Sequence, residues 1–385
     1  MPQLPDVLMF AAPTVNADLR WFSRFKAGDP FPAFSAKGKK IGLLPLLEVG
    51  RAKSESDFDV ILNLTEILRT LRVRNPKAGV AEAIASAAKD YGVKTFTVPH
   101  DFPAGLWESL RSLGLKLQLA GKGRDERTAP QAFPQRAFKD KVEQAGIKAG
   151  NRGSSAAFSA IETILRQSTI KGNKVYWRGK VLTAEQLQAA AHQAVLAAGC
   201  INDHGLIVAP GDQAVDCHAA GTGPIPAHQP IVVDIYPRHI ASGLYGDMTR
   251  TYVKGRANDQ RRKMITAVKG AHALALKTLR AGVTGAEVHA AAADYLKAQG
   301  FVTEKRKQGY VGFFHSLGHG LGFDVHEEPA LAPRNTQPLQ PGHVVTIEPG
   351  LYYPGIGGCR IEDVALVTKT GHRLLSRHAY HWEIA

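Results

Sequence analysis

Hydrophobic and polar positions along the chain fall into two regimes, divided near residue 120. In the first, short apolar runs alternate with helix-period segments. Val7 to Ala11 and Lys40 to Leu47 read as strands, and Ala17 to Arg24 reads as a helix carrying Trp21. Ala81 to Tyr91 is an alanine-rich helical pattern stopped by Gly92, followed by the β-branched run Val93 to Val98; Ala104 to Leu113, stopped by Gly114, leads into Leu115 to Leu119. Glycine just past a helix is a common C-terminal stop. The alternation predicts a small α/β domain over 1–120 with some parallel pairing, and nothing in it carries candidate chemistry. Residues 121–135, GKGRDERTAPQAFPQ, turn charged with Gly and Pro and read as a linker.

The second regime, 136–385, repeats itself. Thr183 with Gln186, and Thr284 with Glu287, have capping-box spacing and open helical runs closed by Gly199 and Gly300. An earlier helical stretch precedes each: Ala157, Phe158, Ile161, Ile164 and Leu165 in one half, Met264 to Leu279 in the other, with apolar positions three to four apart. After each pair comes a hairpin with acids inside β-branched runs. The first reads IVVDIYPRHIASGLYGDMTRTYV from Ile231, with Asp234 and Asp247; the second reads VVTIEPGLYYPGIGGCRIEDVALV from Val344, with Glu348 and Glu362. Aligning Val232 and Val233 on Val344 and Val345 puts Asp234 two residues ahead of the Glu348 position, and an offset of two keeps both acids on one strand face. The pattern predicts a duplicated α+β unit whose strands join into one curved sheet, helices outside and four acids inside.

A carboxylate buried in a covered sheet costs several kcal/mol, on the order of the penalty for any unpaired charge, unless a cation or donor network meets it. Arg250 and Arg360 are near, but two guanidiniums cannot neutralise four acids. The set asks for metal. Between the second helix pair and its hairpin lies GYVGFFHSLGHGLGFDVHEEPAL, with His315, His319 and His326; its glycines favour an extended segment and close backbone approach. Hard carboxylates with imidazoles nearby suit Mn, Co, Fe or Zn and not a soft thiolate metal.

Composition changes little. The chain has 385 residues, 44% hydrophobic and 21% charged, which fits two globular domains. Its net charge of +14 is dispersed, the densest groups being Lys37 to Lys40, Arg261 to Lys263 and Lys305 to Lys307, so a solvated surface is expected rather than a nucleic-acid site. No apolar run approaches the roughly 20 residues of a membrane span, and the first residues lack a basic targeting segment. Cys200, Cys217 and Cys359 form no disulfide framework and read as small core residues; a cytoplasmic location is expected.

Five motifs occur in order: GDMTRT around Asp247, HSLGHGLG around His319, VHEEP around His326, TIEPG around Glu348 and RIEDV around Glu362. They resemble the pita-bread metallopeptidases, the family of methionine aminopeptidase, aminopeptidase P and prolidase, and the first domain resembles that of the creatinase, prolidase and aminopeptidase P branch. Two departures stand out: the thirteen positions from Asp234 to Asp247, which lengthen the hairpin, and Ser316 where glycine is common. The resemblance implies two divalent ions, Mn(II) first with Co(II), Zn(II) or Fe(II) as alternatives, held by Asp234, Asp247, His319, Glu348 and Glu362, with Asp247 and Glu362 bridging. It also implies Glu348 as general base, His326 and His218 steadying the oxyanion and leaving amine, and His315 on the substrate side. Arg360, two residues before Glu362, matches the proline-directed branch; it is a candidate substrate contact, with pairing to a neighbouring acid the alternative. Cleavage before proline in Xaa-Pro dipeptides or longer Xaa-Pro peptides, by a homodimer, is the expectation. A pita-bread binding protein without catalysis, using its basic surface, and a non-peptide amide hydrolase are the alternatives. A lost activity normally shows as a replaced ligand, and all five are present.

Overall fold

The computed structural model describes residues 6–121, 132–307, 309–379 and 381–385. It divides into two compact units, Met1–Arg136 and Ala137–Ala385. Most of the expected linker, residues 122–131, lies outside the described residues.

In the first unit a four-stranded sheet runs in the order Leu8–Ala11, Phe31–Ala36, Lys39–Leu44, Val60–Asn63, antiparallel except for the last, parallel pair. Thr95–Val98 and Lys116–Leu119 form a second, parallel pair. The apolar run expected as one strand from Lys40 to Leu47 is cut at Leu44, because Pro45 turns the chain and Leu46–Glu55 is a helix. Its Leu46 and Leu47 point outward, 56% and 90% exposed, which periodicity over so few residues could not reveal.

The second unit is the duplicated α+β arrangement. Helices Lys141–Gln167 and Ala184–Ala197 precede strands Ile207–Pro210, Pro230–Ile235 and Met248–Lys254; helices Asp259–Thr278 and Gly285–Ala298 precede Gly318–Gly320, Glu327–Leu331, Val344–Ile347, Asp363–Val367 and His372–Leu374. The expected capping boxes form: Thr183 N–H donates to Gln186 Oε1 (3.0 Å), and Thr284 N–H to Glu287 Oε2 (2.7 Å). Each half keeps its own core. Phe158, Ile161, Leu187 and Val195 pack on Val233, Ile235 and Tyr252; Ile265, Val268, Val288 and Ala292 pack on Val345, Ile347, Ala365 and Val367. Side chains alternate along a strand, so Asp234, between Val233 and Ile235, faces away from the helices.

Two details depart from a single curved antiparallel sheet. The ladders form a four-stranded sheet, closed by the parallel edge strand Glu383–Ile384, and a five-stranded sheet. Between them Thr251 Oγ1 donates to Arg360 O (2.9 Å) and Glu362 N–H donates to Thr249 O (3.0 Å), both bonds engaging the residues just before the Asp363–Val367 strand. The second hairpin is also interrupted: Val344–Ile347 pairs with Asp363–Val367, and a separate ribbon, Gly350–Tyr353 with Gly357–Arg360, carries the turn. Glu348 and Glu362 therefore sit at the breaks and not within strands. Breaking the ladder there frees Glu348 N–H for Leu317 O (2.8 Å) and Glu362 N–H for the other sheet.

The first helix begins at Lys141, well before the pattern read from sequence, with Asp140 and Glu143 as its capping box. At Gly150 its backbone touches the loop before Asp247: a Cβ there would lie 2.3 Å from Gly246 N. Gly150→Ala must push two backbones apart, an overpacking of about 1–3 kcal/mol, and should lower the Tm of the chelated protein by roughly 2–12 °C at about 2–4 °C per kcal/mol. Gly50→Ala is the control, since it sits in a helix with nothing within 4 Å. A melt in which both variants behaved like the parent would contradict this packing.

Candidate metal centre

Asp247, His319 and Glu362 present ligand atoms that lie within 4.8 Å of one another. His319 Nε2 is 3.8 Å from Asp247 Oδ2 and 3.3 Å from Glu348 Oε1. Thr346 supports both ends of this set: its Oγ1 accepts from His319 N–H (3.1 Å) and donates to Glu348 Oε1 (3.2 Å). His319 Nδ1 lies 3.0 Å from Gly320 O, which leaves Nε2 as the nitrogen turned toward the acids. Across the seam Thr249 Oγ1 donates to Glu362 Oε2 (2.8 Å). Asn151, buried in the first helix, accepts the Asp247 N–H at Oδ1 (3.0 Å).

Asp234 faces the same space, but its Oδ2 is taken by Arg360 Nη2 (2.7 Å). All three guanidinium nitrogens are engaged: Nε also donates to Thr249 Oγ1 (3.2 Å), and Nη1 to Tyr352 OH (2.8 Å) and Cys217 O (3.3 Å). With its side chain 4% exposed, Arg360 is seen in the paired arrangement, and it is not a free cation awaiting a substrate carboxylate. Arg250, the other nearby guanidinium, is directed to Asp363 (2.9 Å) and to Glu362 O (2.6 Å).

The charges do not balance among themselves. Burial, reinforced by the charge of Asp234, pushes Asp247 well above the ordinary carboxylate range; burial, then Asp247, Glu348 and Asp234, does the same to Glu362. Burial also raises Asp234 despite Arg360. Glu348 goes the other way: burial opposes its ionisation, but the hydrogen bond and charge of His319, with His315 and Arg360, hold it down at about 2. Burial would lower His319, yet Glu348 and Asp247 lift it to about 9.

The residues fit divalent cations. Asp234 Oδ1 is buried with no hydrogen-bond partner among the described residues; beyond burial, Asp247 is held up by the charges of Asp234 and Glu348, and Glu362 by those of Asp247, Glu348 and Asp234. Hard oxygen donors with one imidazole nitrogen are a donor set for a borderline or hard divalent metal.

The remaining histidines surround this set. The His326 ring meets the His319 ring edge-on at 4.4 Å, and burial, then the charge of His319, drops it to about 4. His315 Nε2 lies 3.0 Å from Tyr352 OH, within an aromatic group of Phe313, Phe314 and Tyr352. His218 is exposed, its N–H donating to Asp216 Oδ1 (3.1 Å), and its charge is felt at His315 and His326. Cys359 is buried and Cys217 partly so. Sequence reasoning missed Asn151, Thr249, Thr346 and Tyr352. Only Asn151 had a local signal, glycines at 146, 150 and 153 spaced along one helix face, which mark a close approach.

A sequence profile of metallopeptidase family M24 matches residues 145–369. A Xaa-Pro dipeptidase of Pyrococcus furiosus is 37% identical over 131 residues, 34% of this chain and 35% of that protein. The chain thus spans about a third of the length of the curated relatives it matches in sequence. Over whole chains, the fold matches a Xaa-Pro dipeptidase of Bacillus anthracis (TM-score 0.79, 21% identity, 99% of this chain and 95% of that one). It also matches an X-Pro aminopeptidase of Thermotoga maritima (TM-score 0.76, 23% identity, 99% and 98%). The pita-bread arrangement expected from the motifs is the fold observed.

Proposed function

The chain belongs to metallopeptidase family M24, and on that premise we propose that it hydrolyses the bond between an N-terminal residue and proline, in Xaa-Pro dipeptides or at the start of longer Xaa-Pro peptides. One observation carries the metal-dependent reading: ligand atoms of Asp247, His319 and Glu362 lie within 4.8 Å of one another, and burial beside the charges of Asp234 and Glu348 raises both acids.

Asp234, Asp247, His319, Glu348 and Glu362 would hold two divalent ions, with Mn(II) the first choice and Co(II), Zn(II) or Fe(II) able to substitute. Bound cations supply Lewis acidity toward a peptide carbonyl and lower the pKa of a water toward about 7. Glu348, ionised at neutral pH, accepts a proton from the attacking water. His326, uncharged at that pH, offers a ring N–H to the tetrahedral oxyanion, and His218 serves the leaving amine. Arg360 holds Asp234 in place. His315 lines the substrate side.

Proline specificity is supported by the aromatic group beside the acids. An amide to proline has no N–H and carries a rigid ring, so a site for it needs an apolar shelf more than a donor. Phe314, 37% exposed and 5.3 Å from the Tyr352 ring, offers one.

A matched panel of Ala-Pro, Ala-Pro-Ala, Ala-Ala-Ala and Met-Ala-Ala with the Mn-loaded protein tests the proposal. Turnover is expected on the proline peptides alone, and the ratio of the first two separates dipeptidase from aminopeptidase. Faster hydrolysis of Met-Ala-Ala than of either proline peptide would overturn it. A homodimer in the cytoplasm remains our expectation; among the described residues no helix is long and apolar enough to cross a membrane.

A further inference from the structure

Lys139 and Glu327 form an ion pair with no evident link to the chemistry. Their side chains are 1% and 0% exposed, with Lys139 Nζ 2.5 Å from Glu327 Oε2. A buried pair of this kind is weak evidence for stability, because desolvation offsets the attraction, so its role is sought in geometry. The surroundings identify it.

Glu327 is the strand partner of Gly320. The residues just before these two are His326 and His319, whose rings meet at 4.4 Å. Fixing Glu327 therefore fixes the backbone from which both histidines project. Glu327 Oε1 also accepts the Asp324 N–H (3.1 Å), tying down the loop that leads to His326. Lys139 is a firm anchor: its N–H donates to Gly342 O (2.9 Å), and its carbonyl accepts from Gln144 Nε2 (2.8 Å). There is no slack over the pair, since a Cβ at Gly322 would lie 2.6 Å from both Lys139 Nζ and Glu327 Oε2.

We propose that Lys139 and Glu327 are positioning residues, a clamp that holds His319 against the acids and His326 against His319. The assignment rests on the metallopeptidase reading, and it touches neither substrate nor metal directly. Partners that orient metal-binding side chains typically contribute 10- to 100-fold in affinity or activity.

The test is the double variant Lys139→Met/Glu327→Met in the full chain. Replacing both charges by apolar groups of similar length removes both members of the pair together, so Tm in chelator should stay near that of the parent. Mn(II) titrated alone into metal-free protein, followed by calorimetry, should bind about 10- to 100-fold more weakly. With metal restored at saturating concentration, kcat for Ala-Pro should fall while KM stays within about twofold, the mark of displaced His326 and not of a generally loosened cleft. Parental Mn(II) affinity together with parental kcat would overturn the clamp. Should the double variant not fold, Glu327→Gln keeps the shape and the Asp324 hydrogen bond; a folded Glu327→Gln protein with parental Mn(II) affinity would likewise refute it. The calorimetric arm does not depend on peptide turnover. A parent that binds Mn(II) but cleaves no proline peptide would sink the substrate assignment and leave the clamp to be judged by affinity.

Discussion

Glu362→Gln should strip the protein of at least one metal ion and abolish turnover, while His326→Ala should keep its metal and lose only rate. The two side chains lie in one site but stand in different relations to charge. Glu362 is buried, is pushed well up by burial and by Asp247, Glu348 and Asp234, and receives one hydrogen bond from Thr249. Cations beside it would favour its ionised form. Replacing the carboxylate by an amide removes a unit charge; at about 4 Å and an effective dielectric of about 20, that is about 4 kcal/mol per cation, or about 10³-fold in affinity. The same substitution relieves repulsion in the metal-free protein, so chelated Glu362→Gln should melt no lower than the chelated parent. His326 contributes no comparable charge and handles protons in our assignment, which makes its removal worth about 10²- to 10⁴-fold in kcat. Metal content after dialysis, read beside kcat, separates the two. Equal metal loss in both variants would show that ligand and catalytic roles have been wrongly divided.

Chelation has the second large effect. Metal-free protein should show no hydrolysis of Ala-Pro, and Mn(II) or Co(II) should restore it with up to two ions per chain. Full activity in a chelated sample would end the mechanism. Stability supplies an independent reading. In the metal-free protein Asp247 and Glu362 have carboxyl groups raised above their unfolded values of 3.8 and 4.5. The folded state then binds protons more tightly than the unfolded one, and this contribution favours folding at low pH and is lost as pH rises through the raised values. Metal binding strengthens over the same range because its ligands must be deprotonated. Both effects act in one direction, so the Tm difference between loaded and chelated protein should widen from about pH 4.5 upward. A difference that narrowed toward neutral pH would mean these acids are not where the cations bind.

Much of this was legible in the chain because it is written locally. Period-two runs with an acid set among β-branched residues, and period-3.6 runs opened by Thr and closed by Gly, each need only a few neighbours to be recognised. Asp234, between Val233 and Ile235, faces away from the helix-packed core as the alternation requires. What stayed hidden depends on distance in sequence. Asn151 meets Asp247 across 96 residues, Thr249 meets Glu362 across 113, and Lys139 meets Glu327 across 188, and no short window of the chain contains both ends of any of these three pairs. The breaks that place Glu348 and Glu362 outside their strands were hidden for another reason. Continuous apolar sequence on both sides gives no sign that a second sheet will claim the Glu362 N–H.

The doubling of the α+β unit bears on how such a centre could arise. One unit offers Asp234 and Asp247, the other Glu348 and Glu362, and His319 comes from the strand Gly318–Gly320, which pairs with Val344–Ile347 as Ile207–Pro210 pairs with Pro230–Ile235 but alone of the two carries a histidine. Neither unit alone holds a complete donor set, whereas two identical copies related by a two-fold axis would already gather four acids at their seam. Fusion of the copies into one chain then frees each to diverge, and His319 is a donor that one copy carries and the other lacks.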